Sequence, residues 1–459
     1  MNIVEPMIGD NPKIRIAVID KDEPGGICLT RGCIPSKILL YPAELVRLAE
    51  KARDFGIDAQ IRSIDFSQVM GRMRALIDED IESIRRGLSS SENIDYYHEV
   101  AEFTAPYTMK VGGETIGSKL IFLCIGSRTV VPPVKGLEEV GYLTSDDVLR
   151  LKELPASVAV IGGGYIAAEM GHFLAAMGSK VTILGRNPQF VPEEEPEVSE
   201  VLRNELGRHM TILTNAEVVE ATRAGGMKRL VSRDRETGRK TAVDAEVILV
   251  AAGRGPVSDI LHPEKGGVQV DGRGWIKVDE YLETSQPGVW AMGDADGRFL
   301  FKHVANYESE VVYYNAVLKR RVKTDYHAVP HAVFTYPEAA GVGMKEGEAV
   351  EKFGKDGVSI GFCRYEDTAK GEAMAAKGYF VKVIMERKTE RILGAHIAGP
   401  YASVLIQELV NAMYTGDQGP KDLRRSMYTH PALNEVVQRA LYGIYGVDEY
   451  HHMLTHAHG

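Results

Sequence analysis

The chain has 459 residues, more than one hydrophobic core usually spans, so we expect two to four domains. Apolar residues make up 44% and charged residues 26%, and 54 basic against 64 acidic residues give a net charge of −10. This balance argues against a nucleic-acid binder with a basic face, and no apolar run reaches the roughly 18 residues of a membrane span.

The number of cysteines indicates in which cellular compartment the protein works. The four cysteines, Cys28, Cys33, Cys124 and Cys363, are too few for a secreted disulfide scaffold, and the N-terminus lacks a secretory signal pattern. We therefore expect a cytoplasmic protein, in which a close pair such as Cys28 and Cys33 is more often catalytic or metal-binding than structural. A zinc site there would need two further ligands, and none stands nearby.

The first predicted strand is residues 14–20, which end in Asp20. An acid at this place typifies the second strand of a dinucleotide-binding unit, where it accepts hydrogen bonds from a ribose; a solvated Asp20 is the alternative. Residues 1–9 read as the helix that should follow a first strand and its glycine-rich turn. We therefore expect that strand to lie upstream of Met1, which makes the given chain N-terminally truncated.

The segment from Gly25 to Lys37 reads as a redox-active disulfide at the start of a helix. The five-residue offset of Cys28 and Cys33 puts the sulfurs little more than one turn apart, where backbone N–H groups favour the reactive thiolate. Helices are predicted at about 36–52 and 70–88. Cys124, in the next strand, is predicted to be a small core residue.

A second nucleotide site is predicted in the middle of the chain. A strand at 158–161 leads into Gly162-x-Gly164-x-x-Ala167, then a helix ending near Gly178 and a strand at 181–184. The first glycine makes the turn, the second lets the backbone approach a pyrophosphate, and Ala167 permits close helix packing.

The residue that would read the ribose departs from the pattern of an NAD site. An acid is expected after Leu184, but Gly185 and Arg186 follow. An arginine can pair with a 2′-phosphate, so the sequence supports NADP(H) as well as NAD; a solvated Arg186 is the alternative.

Two more strand-and-turn segments follow. The strand at 247–251 ends at a turn with Gly253, and residues 284–294 end at Asp294. Asp294 could bond a ribitol or ribose hydroxyl or serve as a helix N-cap. Two dinucleotide sites imply two cofactors, a flavin and a nicotinamide.

From about Tyr326 the pattern changes to strands at 332–334 and 378–385 and a helix at 402–414, which predicts an α+β domain. Near its end, Pro431 fits the first turn of a helix, and Glu435 could reach back to His430. Such a dyad fixes the tautomer and raises the basicity of a general base; a capping or core histidine is the alternative. The tail from His451, which includes His458, is predicted to be solvated and disordered, with metal binding as the alternative.

Together these motifs resemble the FAD-dependent pyridine nucleotide–disulfide oxidoreductases over nearly the whole chain. The signature from Gly25 to Lys37 is similar to the family's active site, and the nicotinamide motif, Gly293-Asp294 and His430-Pro431-x3-Glu435 follow in the family's order. The Cys-Ile-Pro-Ser-Lys form is most similar to dihydrolipoamide dehydrogenases, with mycothione and mercuric reductases as near neighbours.

The resemblance implies an α/β protein with two three-layer, Rossmann-like dinucleotide-binding domains and a C-terminal α+β dimerisation domain. The implied boundaries are 1–150 for the FAD domain, which lacks its initial strand and glycine-rich loop, 151–267 for the NAD(P) domain, 268–325 for a return to the FAD domain, and 326–459 for the interface domain.

The resemblance also implies roles. Cys28 is implied as the thiol that forms a mixed disulfide with substrate, and Cys33 as the thiol facing the flavin. Lys37 and Glu169 are implied to pair beside the flavin, and His430 of the partner subunit, oriented by Glu435, to act as acid/base. The implied FAD contacts are Asp20, Gly26, Lys37, Gly126 and Asp294. The implied NAD(P) contacts are Gly162, Gly164, Ala167, Arg186 and Gly253.

The implied activity is dihydrolipoamide dehydrogenase: dihydrolipoamide and NAD+ give lipoamide and NADH through Cys28–Cys33 and FAD. The alternatives are an NADPH-dependent reductase of a low-molecular-weight disulfide and a flavin-free, non-catalytic homologue. The expected partners are a small dithiol or disulfide, a lipoyl domain as its carrier, and a second copy of the chain, with neither nucleic acid nor membrane. Arg31 stands between the cysteines where the family usually has an apolar residue.

Overall fold

The computed structural model describes residues 2–456. The N-terminal residues form a helix, Val4–Asp10, before the strand Ile16–Ile19, as the sequence predicts. That strand pairs in parallel with Ile94–Tyr97, and a second parallel pair joins Ile121–Leu123 to Val289–Ala291. The segment after residue 268 therefore returns to the N-terminal region.

Around these pairs lie the other elements of the N-terminal region and the return segment. The helices are Gly26–Arg31, Cys33–Lys51, Phe66–Ser90, Leu137–Val140, Ser145–Val148 and Lys302–Val312, which continues as a π-helix at Tyr313–Val317. An antiparallel meander has the strands Ala101–Ala105, Thr108–Val111 and Glu114–Gly117, and a short antiparallel pair joins Arg128–Thr129 to Arg254–Gly255.

The long helix Phe66–Ser90 shows how a capping residue and the spacing of apolar residues determine a helix and its buried face. Its N-cap Asp65 accepts a hydrogen bond from the Gln68 N–H at 2.9 Å. Buried apolar residues recur every three or four positions at Met70, Met73, Ile77 and Ile81 and return two turns later at Leu88. This face packs against the helix Cys33–Lys51 and holds that helix in place.

The middle of the chain is a parallel sheet covered on both faces. Its strands, in spatial order, are Thr211–Leu213, Lys180–Leu184, Ser157–Ile161 and Val247–Val250. The helices Tyr165–Met177 and Pro196–Leu206 and an antiparallel meander, Ala216–Ala224, Met227–Asp234 and Lys240–Ala245, complete the region. The three strands other than the edge strand Thr211–Leu213 are mostly buried, as expected of a parallel sheet.

The C-terminal region is a six-stranded antiparallel sheet with helices against it. In spatial order the strands are Pro330–Val333, Glu338–Gly343, Ile392–Gly399, Phe380–Glu386, Val358–Arg364 and Ile444–Gly446. The helices are Glu346–Phe353, Ala369–Ala373, Ala402–Met413, Lys421–Arg425, Glu435–Ala440 and Val447–His456. The predicted α/β class with a C-terminal α+β domain is confirmed.

The prediction of a disordered tail is wrong up to His456. Residues Val447–His456 form a helix, in which Tyr450 is fully buried and His451 Nε2 lies 2.6 Å from Glu346 Oε1. These tertiary contacts order a segment whose composition alone predicts no ordered structure. His458 lies outside the described residues. Within residues 2–456, no helix has the length and apolar character to cross a bilayer.

Candidate active site

The two cysteines lie on two consecutive helices rather than at the start of one. Cys28 belongs to Gly26–Arg31, and Cys33 is the first residue of Cys33–Lys51. The break is at Gly32, where an added Cβ would lie 2.8 Å from the Ile27 carbonyl oxygen. Only glycine allows the chain to fold back so closely, and this brings the two sulfurs together.

The two free thiols, Cys28 and Cys33, differ in their pKa values. The Cys33 thiol donates a hydrogen bond to the Cys28 sulfur, which lowers the pKa of Cys28 to about 6, and the positive charge of Lys302 acts in the same direction. That shared proton, together with burial, raises the pKa of Cys33. At neutral pH the pair therefore carries one thiolate and one thiol, which is the form that attacks a disulfide.

Lys37 and Glu169, which are 132 positions apart in the sequence, come together from two helices. Lys37 Nζ lies 2.8 Å from Glu169 Oε2, and the Glu169 carboxylate also accepts the Phe334 N–H at 3.0 Å. Lys37 Nζ is 4.5 Å from the centre of the Phe334 ring. Residues from all three regions therefore meet one turn beyond Cys33, and Phe334 is a site residue for which the sequence analysis assigned no role.

A polar chain lies at the carboxyl ends of the strands Ile121–Leu123 and Val289–Ala291. Ser127 Oγ donates to Asp294 Oδ2 at 2.5 Å, and Arg254 holds Ser127 through bonds of 2.7 Å to its hydroxyl and 2.6 Å to its carbonyl. Neither Ser127 nor Arg254 was predicted as a site residue. Each directly follows a predicted turn glycine, Gly126 or Gly253, and that position was the available signal.

Asp294 itself sits in a short 3-10 turn, Gly293–Ala295. The Gly293 N–H donates to the buried carboxylate of Glu308 at 2.5 Å. Burial and the neighbouring Asp296 raise the pKa of Glu308 to about 7, although Tyr326 donates to it. Glu308 fixes the turn that presents Asp294, and no motif pointed to it.

Asp20 is at the carboxyl end of the strand Ile16–Ile19, where its Oδ1 accepts the Asp22 N–H at 3.0 Å. Burial raises its pKa. Asp22 in turn pairs with Arg31 at 2.6 Å, so the unexpected arginine between the cysteines ties their turn to this strand end.

The prediction that Cys124 is a core residue is wrong. Its side chain is accessible at the surface, whereas the preceding Leu123 is buried, although the protein atoms around Cys124 desolvate its thiol and raise the pKa to about 11. Side chains alternate along a strand, so Cys124 points to the opposite side from the buried Leu123.

The nicotinamide motif has the predicted geometry. Gly162 has a φ of +134°, and a Cβ there would lie 2.1 Å from the Ala251 carbonyl oxygen, so only glycine fits. Gly164 precedes the helix Tyr165–Met177, and Ala167 is fully buried against the sheet. The helix N-terminus, with its free N–H groups, can hold a pyrophosphate. Gly253, with a φ of +113°, faces open space.

His430 and Glu435 form the predicted pair. His430 Nδ1 lies 3.0 Å from Glu435 Oε1, and this contact, with the Ala432 N–H, lowers the pKa of Glu435. Pro431 is not in a helical turn as predicted: the helix begins at Glu435, and the carboxylate of that residue accepts the Ala432 N–H in the turn before it. The His430 side chain is 67% exposed, and among the described residues no hydrogen bond links it to Cys28 or Cys33.

The hydrogen-bonding groups of this site match part of what a flavin dinucleotide needs. Asp20 and Asp294 offer carboxylates for ribose and ribitol hydroxyls, and Gly26, with a φ of +72°, has no atom within 4 Å of its absent side chain. Within residues 2–456, no glycine-rich turn precedes Ile16–Ile19.

One group of carboxylates among the described residues has the spacing of metal ligands: Glu195, Glu197 and Glu346. The Lys382 ammonium lies between them, at 2.7 to 2.9 Å from an oxygen of each. The Lys382 ammonium therefore occupies the position that a metal ion would take between these carboxylates.

Comparison with known proteins covers both halves of the chain. The family model "Pyridine nucleotide-disulphide oxidoreductase" matches residues 9–331, and the dimerisation domain of the same family matches residues 329–441. A mycothione reductase of Mycobacterium tuberculosis is 37% identical over 94% of both chains. A dihydrolipoyl dehydrogenase of Synechocystis sp. is 30% identical over 93% of both.

A solved structure is similar throughout. The Cu(II) complex of the HOCl-induced flavoprotein disulfide reductase RclA from Escherichia coli superposes with a TM-score of 0.84 at 27% identity. The match covers 96% of this chain and 95% of that one.

Proposed function

Because the chain belongs to the pyridine nucleotide-disulphide oxidoreductases, whose members are FAD-dependent enzymes using NAD(P)(H), we propose that it exchanges two electrons between a nicotinamide dinucleotide and a small dithiol or disulfide through Cys28 and Cys33. The observation that carries the proposal is the position of Cys28 and Cys33 on two helices that fold back on each other at Gly32, with the Lys37–Glu169 ion pair one turn beyond Cys33. Reactive cysteines lie in such partly exposed surroundings close to a positive charge, whereas structural cysteines are buried and inert.

The chemistry at the cysteines follows from their positions. With Cys28 and Cys33 joined as a disulfide, a substrate thiolate attacks Cys28, a new sulfur–sulfur bond forms, and Cys33 leaves as a thiolate. The second substrate thiolate then attacks the substrate sulfur of that mixed disulfide and releases Cys28 as a thiolate. The substrate leaves as a disulfide, and its two electrons remain on the cysteine pair.

Protons need a carrier at each of these steps. His430, held in one orientation by Glu435, would take the proton from the attacking thiol and return it to a leaving thiolate. The exposed position of His430 suits a role in another copy of the chain, and the dimerisation domain supports a homodimer.

The bound cofactors would complete the transfer. FAD, when bound, supplies a two-electron acceptor for the thiol pair and a hydride donor or acceptor for the nicotinamide. Lys37 would stabilise charge at the flavin ring, and Asp20 and Asp294 would bind hydroxyl groups of FAD. The turn Gly162–Gly164 would bind the pyrophosphate of the nicotinamide dinucleotide.

Two finer activities fit this site. Dihydrolipoamide dehydrogenase, with NAD+ and free dihydrolipoamide or a lipoyl domain, follows from the Cys-Ile-Pro-Ser-Lys form. Reduction of a low-molecular-weight disulfide by NADPH is the second candidate, and the observation that favours it is Gly185-Arg186 where an NAD site would have an acid.

The test is a matched pair of assays on the purified protein, with flavin absorbance recorded first. We expect bound flavin and turnover of either dihydrolipoamide with NAD+ or a small disulfide, mycothione included, with NADPH. Cys28→Ser and Cys33→Ser should each abolish turnover while the protein stays folded, and Cys124→Ser, the control at the other exposed cysteine, should not. A colourless folded protein, or activity that survives Cys28→Ser, would contradict the proposal.

A further inference from the structure

The residue after the strand Lys180–Leu184 lies against the nicotinamide-site turn. The Gly162 N–H donates to the Leu184 carbonyl at 3.0 Å, and a Cβ on Gly185 would lie 3.2 Å from Gly163 Cα. In this fold the adenosine ribose reaches the end of this strand. The side chain next in line is Arg186, which is exposed.

A second guanidinium group comes to the same place from a distant part of the chain. Arg235 lies in the turn between the strands Met227–Asp234 and Lys240–Ala245, and its Nη1 donates to the Arg186 carbonyl at 3.2 Å. The turn is also fixed by its backbone: the Arg235 N–H donates to the Asn215 carbonyl, and the Asn215 N–H donates to the Asn187 carbonyl, each at 2.9 Å.

The charges of these two arginines are not balanced. Across residues 2–456, no carboxylate lies within 4 Å of either guanidinium, whereas Arg229 and Arg233 of the same meander pair with Asp244 at 2.7 Å and Glu217 at 3.1 Å. The adjacent Asp234 instead accepts hydrogen bonds from the backbone and hydroxyl of its own turn. The Arg235 guanidinium therefore lies at the backbone of the exposed Arg186, and two arginines at one position without a paired acid are suited to a dianion.

We infer that Arg186 and Arg235 together bind the 2′-phosphate of an adenosine ribose, so that NADPH is preferred to NADH. The inference rests on the proposed use of a nicotinamide dinucleotide by this enzyme. Its new element is the meander: a residue 49 positions after Arg186 completes the site, and the turn that carries it is tied to the nucleotide-binding loop.

The decisive probe is adenosine 2′,5′-bisphosphate, which carries the 2′-phosphate without a nicotinamide, compared with 5′-AMP in calorimetry on the holoenzyme. We expect the wild type to prefer the bisphosphate at least about tenfold. Arg186→Gln and Arg235→Gln should each weaken bisphosphate binding about tenfold and leave 5′-AMP within about twofold. Arg233→Gln, two residues from Arg235 but paired with Glu217, is the control and should bind both as the wild type does.

Steady-state kinetics gives the second readout. Both variants should raise KM for NADPH and leave kcat and the KM for NADH unchanged. Equal binding of the two probes by the wild type would overturn the inference, as would an Arg235→Gln variant that behaves like Arg233→Gln. Since binding is measured without a disulfide substrate, such a result with intact NADH-dependent turnover would leave the proposed function standing.

Discussion

At the scale of single residues, the charge on Cys28 depends on groups outside its own helix. The Cys33 hydrogen bond makes the largest contribution to its lowered pKa, and the Lys302 ammonium, on the helix Lys302–Val312, also lowers it. Above about pH 6 Cys28 is therefore a thiolate, and below that pH its reactivity is lost.

This position gives the first prediction. In the reduced protein, alkylation of Cys28 by iodoacetamide, followed by peptide mass spectrometry, should rise with pH through an inflection near 6. Lys302→Met should move the inflection upward by up to about one unit, because a positive charge that favours the thiolate is gone. Lys352→Met, at an exposed lysine of the helix Glu346–Phe353, should leave the inflection unchanged. An inflection near the usual value for a thiol in the wild type would contradict the prediction.

At the scale of elements, the nicotinamide turn depends on a glycine that nothing can replace. Gly162→Ala would place a methyl group 2.1 Å from the Ala251 carbonyl at a φ that disfavours side chains. We expect a loss of about 2–4 kcal/mol in the free energy of unfolding, together with loss of NAD(P)H binding.

The matched control is Gly87→Ala in the long helix Phe66–Ser90, where an added Cβ meets no atom within 4 Å. Alanine there should raise the free energy of unfolding by about 0.5–1 kcal/mol, since glycine weakens a helix interior. Urea denaturation of both variants gives the comparison. Equal stability of Gly162→Ala and the wild type would show that the turn can relax.

Elements were predictable where local pattern and burial agree. The strand Ser157–Ile161, the glycine turn and the helix Tyr165–Met177 follow from an apolar run that leads into the Gly162-x-Gly164-x-x-Ala167 motif, and the structure has them within one residue. Two helices at the cysteines, the late start of the helix at Glu435 and the ordered C-terminal helix were missed. The first depends on a close backbone approach at Gly32, the second on a turn in which Glu435 accepts the Ala432 N–H, and the third on contacts distant in sequence; periodicity records none of these.

The same distinction holds for the site. The cysteines, Lys37, Glu169 and the His430–Glu435 pair carry motif spacing and could be named from the sequence. Ser127, Arg254 and Glu308 act through hydrogen bonds that span 15 to 167 residues, and Arg235 through one that spans 49. Nothing in their immediate sequence indicates which partner they will meet.

At the scale of the whole molecule, a buried charge cluster joins the nucleotide-binding and C-terminal regions. Lys382 is fully buried, and although burial opposes its charge, Glu197, Glu195 and Glu346 hold its pKa above the usual value. Tyr450 of the C-terminal helix lies beside it, with its ring centre 4.9 Å from Lys382 Nζ. The cluster therefore connects helices and a strand from both regions.

Lys382→Met should destabilise the protein strongly. It leaves three carboxylates facing one another without a cation, and breaking a buried ion pair in this way typically costs about 3–5 kcal/mol. Glu197→Gln removes one carboxylate, keeps two partners for Lys382 and should cost clearly less. Chemical denaturation followed by circular dichroism measures both, and equal losses would mean that packing rather than charge governs this junction.

The dimer gives the last prediction, because it decides which His430 serves which Cys28. In one chain the His430 side chain is exposed and bonded to Glu435, with no hydrogen bond to the thiols, and the dimerisation domain supports a pair of chains. Cys28→Ser and His430→Gln homodimers should both be inactive. If His430 acts across the interface, unfolding and refolding an equal mixture creates heterodimers with one intact site, and activity should return to about a quarter of wild type by random assortment. If the histidine acted within its own chain, every site in the mixture would lack one group and no activity would return. Refolding each variant alone measures the background, and the refolded wild type sets the scale.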